Sequence, residues 1–254
     1  MTVYVGSARI DEHGQAHGGM AGDQTGGEVS TQRWYLHNQG SWRVFRPKDK
    51  YSAEWIARDM QAACDNPHIG YDQYQRDTLY NAASKCEFDC ALVDKDVETD
   101  CSALVRVCCM YAGIDTGNFR TYNEPRALMS TGCFYEMIGS KYQKRCDYLK
   151  RGDILVTPSS GHTVVVLSDG KYANNEDDVQ EEMDDMELLK YGSKGAQVRT
   201  LQRLLNAIID AHLEVDGDYG PATRAAVIDY QSHRGLGHDG ICGQETWKKI
   251  LKGE

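Results

Sequence analysis

The sequence predicts an α+β domain followed by a small all-α unit, and three observations carry that prediction. Strand-like runs occur through the first 175 residues, at Trp34-Tyr35, at 153–156 and at 163–167. Among them lies one apolar stretch, 103–112, too continuous for an ordinary surface helix. From residue 188 onward the pattern changes to amphipathic helices separated by Gly-rich turns. A chain of 254 residues suits two domains, the first long enough to bury a core of its own. The boundaries fall at 1–175, 176–187 and 188–254.

The opening residues read as a Gly-rich loop, with Gly18, Gly19, Gly22, Gly26 and Gly27 in one short stretch. Asp23 and Glu28 are expected to organise that loop rather than to touch a substrate. Further on, Asp100 is a good N-cap for the apolar helix, which Gly113 stops. Cys101 therefore sits in the first turn, where unpaired N–H groups and the positive end of the helix dipole favour a thiolate. The same position also suits a buried, inert cysteine. What separates the two readings is a base.

Of the eight histidines, His162 is the best placed. It opens the run Thr163-Val164-Val165-Val166-Leu167, which follows the strand-like 153–156 across a turn at Pro158-Ser159-Ser160-Gly161. A histidine at a strand mouth can face a helix N-terminus, although it can equally be a solvated turn residue. A third, orienting group is sought beyond it. The turn at Ser168-Asp169-Gly170 suggests a hairpin whose second strand carries Asn174, facing Val164 if the loop has three residues; a two-residue turn gives that place to Asn175.

Three segments together carry a resemblance: Asp100-Cys101-Ser102-Ala103-Leu104-Val105, Arg151-Gly152-Asp153-Ile154-Leu155, and Gly161-His162-Thr163-Val164-Val165-Val166-Leu167-Ser168-Asp169-Gly170. They resemble the NlpC-type cysteine peptidoglycan hydrolases and the related CHAP amidohydrolases. Residues 8–12 and 18–29 are similar to the start of a phage endolysin subgroup within those hydrolases. The resemblance implies a papain-like catalytic domain in which Cys101 attacks an amide of the peptidoglycan stem peptide, His162 is its base and Asn174 the third member. It puts Tyr71, in Ile69-Gly70-Tyr71-Asp72-Gln73, where a substrate-side hydroxyl belongs, although a tyrosine packed on the helix fits as well. It makes Asp100 and Ser102, beside the nucleophile, substrate-binding residues. This chain departs from the family's pattern in having Ala103 for a common glycine and asparagine for histidine as third member. The implied bond is γ-D-glutamyl to diamino acid, with the muramoyl to L-alanine amide as the alternative.

The C-terminal third begins with a turn at Gly192-Ser193-Lys194-Gly195 and a helix with Val198, Leu201, Leu204 and Leu205 on one stripe. A repeat follows: Asp216, Gly217, Gly220 and Thr223 recur 23 residues later as Asp239, Gly240, Gly243 and Thr246. Each copy is a turn that launches a helix, with Pro221 suited to a first helical position. The region resembles the three-helix peptidoglycan-binding domain of cell-wall hydrolases.

Residues 176–187 contain eight acids and no base. Such a segment is a solvated linker. It also explains the net charge of −10, since without it 30 acids face 28 bases. No basic run supports nucleic-acid binding, and no apolar run of about 18 residues supports membrane insertion. The N-terminus lacks the pattern of a signal peptide, so the protein is expected to be made in the bacterial cytoplasm and to reach the wall by another exit. Nine cysteines, an odd number, do not suggest a disulfide framework, and the Cys86/Cys90 and Cys108/Cys109 spacings are wrong for zinc hooks. No cofactor or metal is called for. Two function classes remain: a peptidoglycan hydrolase with its own wall-binding domain, and a non-catalytic wall-binding or phage structural protein. Cysteine, histidine and asparagine together favour the first.

Overall fold

A computed structural model describes residues 2–159, 161–173 and 188–251. It divides into two compact units, Met1–Asn175 and Glu176–Glu254.

The first unit is mixed α/β. Strands β1 (Tyr4–Ala8), β2 (Val29–Arg33), β3 (Arg43–Pro47), β6 (Phe134–Met137), β7 (Ile154–Val156) and β8 (Thr163–Val166) form one sheet in the order β2-β1-β8-β7-β3-β6. Every neighbouring pair in it is antiparallel. The short strands β4 (Ile69–Tyr71) and β5 (Val97–Thr99) form a separate parallel pair. The first-unit helices are α1 (Lys50–Asp65), α2 (Thr78–Ala83), α3 (Cys101–Tyr111), α4 (Glu124–Ser130) and the single turn α5 (Ser140–Gln143).

Alternation in the strands sorts the core into two faces. Val5, Val164 and Val166 join Val3, Trp42, Val44 and Leu155 in one buried cluster. The other face meets α1 and α3. Gly6, paired with Val165, lies so close to α1 that an added Cβ would sit 2.7 Å from Met60 Cγ. Helix α1 starts where the Asp49 carboxylate accepts the Ser52 N–H at 2.7 Å, and it buries Trp55, Ile56, Met60 and Ala63 against this face and α3. Helix α3 is apolar nearly all round and buried nearly all round, as its composition requires.

One expected element is absent among the described residues. Strand β8 has β1 on one side and β7 on the other, and the described residues 171–173 add no strand beside it. Residues 171–173 form a turn instead, with the Tyr172 N–H donating to the Asp147 carbonyl and Ala173 to Gly170. The N-terminal strand, over 150 residues away in sequence, has taken the position that the hairpin was expected to fill. The Trp34-Tyr35 run likewise follows β2 rather than forming it.

The second unit is helical, with α6 (Ala196–Ile209), α7 (Pro221–His233) and α8 (Gln244–Leu251) around Leu189, Val198, Leu201, Leu205, Tyr219, Val227, Tyr230 and Trp247. Its repeat has a hydrogen-bonding cause. Gln202 Nε2 donates to Asp216 Oδ1, the Asp218 carbonyl and Thr223 Oγ1 at 2.8–3.1 Å, and its Oε1 accepts the Gly217 N–H. Gln231 does the same for Asp239 Oδ1, the Ile241 carbonyl, Thr246 Oγ1 and the Gly240 N–H. The recurring Asp, Gly and Thr are thus the partners of a buried glutamine on the preceding helix. Among the described residues no helix is long and apolar enough to cross a membrane.

Candidate active site

Cys101 is the first residue of α3 and is 8% exposed. The helix start is held by Asp100, whose Oδ1 accepts the Ala103 N–H and the Ser102 hydroxyl, each at 2.7 Å. The buried Arg76 closes this arrangement, pairing with Asp100 and donating to Ser102 Oγ at 3.1 Å and to the Phe119 carbonyl at 2.7 Å. Asp100 and Ser102 are both buried and bonded to each other and to Arg76. Both side chains are thereby engaged in fixing the helix terminus and, with it, Cys101.

His162 directly precedes β8, and its backbone is pinned to Thr157: its N–H donates to Thr157 Oγ1 at 3.0 Å, and its carbonyl accepts the Thr157 N–H at 2.9 Å. The next residue, Thr163, bears on Cys101: its backbone N–H favours the thiolate form of that side chain. Thr163 Oγ1 donates to Glu124 Oε1 at 2.7 Å, so α4 is tied to the same point of β8. Tyr71 is also brought here. Burial pushes its hydroxyl up to about 12, with Cys101 and Asp100 adding to the effect and a 3.0 Å hydrogen bond from Gln73 Nε2 opposing it.

The electrostatics differ from the expectation of a ready thiolate. Burial pushes the Cys101 thiol well above its usual value, and the Asp100 and Glu124 carboxyls push the same way. The Thr163 and Ser102 N–H groups pull it down without prevailing. Burial also pushes His162 down to about 4, aided by the nearby positive charges of His37 and Arg9. At neutral pH the site holds a neutral thiol and a neutral imidazole.

Several neighbours were not singled out from the sequence. The Tyr35 hydroxyl is raised by burial and bears on Cys101, while Gln32 and Arg9 oppose the shift. His37 bears on His162 and stacks edge-on with Trp42, ring centres 5.4 Å apart. The Trp34-Tyr35-Leu36-His37 stretch was a visible signal, but joining it to His162 requires knowing that β1 and β8 are neighbours. Asn174 and Asn175 lie outside the described residues. Asp23 and Glu28 organise their loop: Asp23 Oδ1 accepts the N–H groups of Thr25, Gly26 and Gly27, and Glu28 accepts those of Gln24 and Tyr71.

Residues 5–173, which hold this whole arrangement, match the endolysin-like domain family. The chain belongs to that family. Residues 194–250 of this endolysin-like chain match a second family, the putative peptidoglycan binding domain. Among curated proteins the chain is similar to a zinc D-Ala-D-Ala carboxypeptidase of Streptomyces albus G, 47% identical over 66 residues, covering 25% of this chain and 26% of that one. It is also similar to an uncharacterized protein in the bpoA1 3' region of Kitasatospora aureofaciens, 41% identical over 64 residues, covering 25% of this chain and 54% of the relative. The chain thus spans about a quarter of one curated relative and about half of the other. A solved structure, the crystal structure of Burkholderia AP3 phage endolysin, is 44% identical over 27% of this chain and 26% of its own, with a TM-score of 0.26.

Proposed function

We propose that this endolysin-like protein is a peptidoglycan hydrolase of endolysin type that cuts a stem-peptide amide with Cys101 as nucleophile and His162 as base, in a papain-like domain. The observation that supports this reading is the packing of β8, which His162 directly precedes, against α3, which Cys101 opens. The Streptomyces relative is named a zinc carboxypeptidase, and the similarity to it spans 66 residues, about a quarter of each chain.

With both partners neutral, attack and proton transfer are concerted. His162 takes the thiol proton as Sγ adds to the amide carbonyl, and the helix terminus at Cys101 faces the developing oxyanion with backbone N–H groups. The resulting imidazolium gives its proton to the leaving amine. Water, deprotonated by His162, then releases the acyl group and restores the thiol. The Tyr71 hydroxyl is on the substrate side. Asn174, or Asn175 in its place, is the group proposed to orient the imidazole, and the loss of rate in Asn174→Ala compared with Asn175→Ala tests which. The C-terminal unit holds the enzyme on peptidoglycan.

The bond cut is γ-D-glutamyl to diamino acid, by resemblance to the NlpC-type enzymes. Mass spectrometry of muropeptides from digested walls tests this. Muropeptides whose muramic acid keeps only the L-alanyl–D-glutamyl dipeptide support it, whereas intact stems released from muramic acid would assign amidase activity instead.

A further inference from the structure

A cleft opens in the first unit between β3 and α4, lined by Arg43, Tyr122, Asn123, Pro125, Arg126 and Met129. Its volume, about 430 Å³, is in the range of sites that take a small ligand or one part of a larger one. Two guanidinium groups line it and no acid does, although the chain as a whole carries a net charge of −10. Arg43 pairs through Nε with Glu136 at 2.8 Å, and its two terminal nitrogens have no hydrogen-bond partner among the described residues. The exposed Arg126 side chain has neither a hydrogen-bond nor an ion-pair partner among the described residues. Tyr122 and Met129 are exposed beside it.

Sheet register connects this cleft to the active site. Arg43 of β3 faces Val156 of β7, and Val156 faces Thr163 of β8. Directly paired residues share one face of a sheet, so the Arg43 side chain leaves it on the same side as the Thr163 hydroxyl, which donates to Glu124 Oε1 at 2.7 Å. Two strand spacings, about 10 Å, separate Arg43 from Thr163. Glu124 opens α4 directly before Pro125, and its carboxyl bears on Cys101. The loop before α4 passes the nucleophile as well: the exposed Arg120 has Nη1 4.0 Å from Oδ2 of Asp100, the residue before Cys101. Arg120, Tyr122 and Arg126 thus lead from beside Asp100 to the cleft.

Guanidinium groups with spare N–H donors match the two oxygens of a carboxylate, and Pro125, Met129 and the Tyr122 ring can cover the carbons that carry it. An ammonium would find no acid in the lining. Resting on the stem-peptide reading above, we propose that this cleft binds a free carboxylate of the peptidoglycan stem peptide through Arg126 and Arg43. At 3.3–3.6 Å per extended residue, roughly 10 Å puts that carboxylate within about three residues of the bond that is cut. Amidation of the carboxylate removes its charge and one of its acceptors, so the cleft selects free-acid stems over amidated ones.

The test compares soluble disaccharide-tetrapeptide muropeptides with the same muropeptides after amidation of their carboxylates, using the full chain as wild type, Arg126→Ala and Arg126→Lys. Wild type should prefer the free acids at least about tenfold in KM, with kcat within about threefold. Arg126→Ala should raise KM for the free acids at least about tenfold, leave KM for the amides unchanged and so lose the preference. Arg126→Lys should keep part of it, because an ammonium retains the charge without the fork. Calorimetric binding to Cys101→Ala, with and without Arg126→Ala, tests the cleft whether or not Cys101 is the nucleophile. Free-acid muropeptides that bind Cys101→Ala no better than their amides, or that bind the double variant equally well, would overturn the site even where turnover depends on Cys101. So would an Arg126→Ala protein that loses kcat yet keeps the free-acid preference, since that would make Arg126 a structural residue.

Discussion

Glu124 Oε1 accepts the Thr163 hydroxyl at 2.7 Å, with Glu124 completely buried and its other oxygen unpartnered. Burial pushes this carboxyl well above its usual range, which favours its protonated form. Glu124→Gln should therefore stay within about 1 kcal/mol of wild type at pH 7, while Glu124→Ala, which strands the Thr163 hydroxyl, should lose about 1–3 kcal/mol. The sign with pH follows from a folded value above the unfolded one. Wild type gains stability relative to Glu124→Gln as pH falls from 7 towards 4.5. Denaturant melts at several pH values check both statements, and a variant difference that widens in the opposite direction would show an ionised Glu124.

His162 sets the acid behaviour. Since burial holds its ring down to about 4, the free enzyme keeps its base at pH 5, and kcat/KM should fall only near pH 4. A kinetic limb near 6.5 would mean an ordinary, solvated histidine. Stability gives a second readout. The folded value lies below the unfolded 6.5, so stability is lost as pH falls through the window from 6.5 to about 4. That window corresponds to about 3 kcal/mol. His162→Gln should not show this loss.

Gln202 and Gln231 make matching four-bond clamps in the second unit. Replacing either by alanine leaves a buried turn N–H and a threonine hydroxyl without their partner. Each substitution should cost about 2 kcal/mol, and the two should cost similar amounts because their partners correspond. Wall binding should fall with the unfolding of this unit, followed by its helical circular dichroism. Equal stability with lost binding would instead put the glutamines on the ligand.

A chain ending at residue 175 should fold and still cut soluble peptidoglycan fragments, yet lose at least about tenfold in rate on intact walls, since tethering raises local concentration on an insoluble substrate. Loss of activity on soluble fragments would mean that the second unit completes the active site.

The local chemistry was legible in the sequence because it is written in contiguous residues. Asp100 caps α3, Cys101 opens it, β7 and β8 form the expected hairpin, and Pro221 starts α7. What was not legible depends on contacts between distant segments. Nothing in 3–8 marks that strand as the neighbour of β8, yet that pairing takes the position expected for a strand beyond Gly170 and brings Arg9 and His37 to bear on His162. The thiol's state was misread for a related reason. Helix position argued for a lowered value, but burial and the carboxyls of Asp100 and Glu124 outweigh it, and Glu124 arrives from a separate helix.

The central claim is that Cys101 is the nucleophile, and the most direct measurement is muropeptide release from purified walls by wild type and Cys101→Ala, with cosedimentation on the same walls. Cys101→Ala should bind walls as wild type does and release products at least about 10³-fold more slowly, because no other group in the site replaces the thiol. Release by Cys101→Ala within tenfold of wild type would contradict the thiol mechanism.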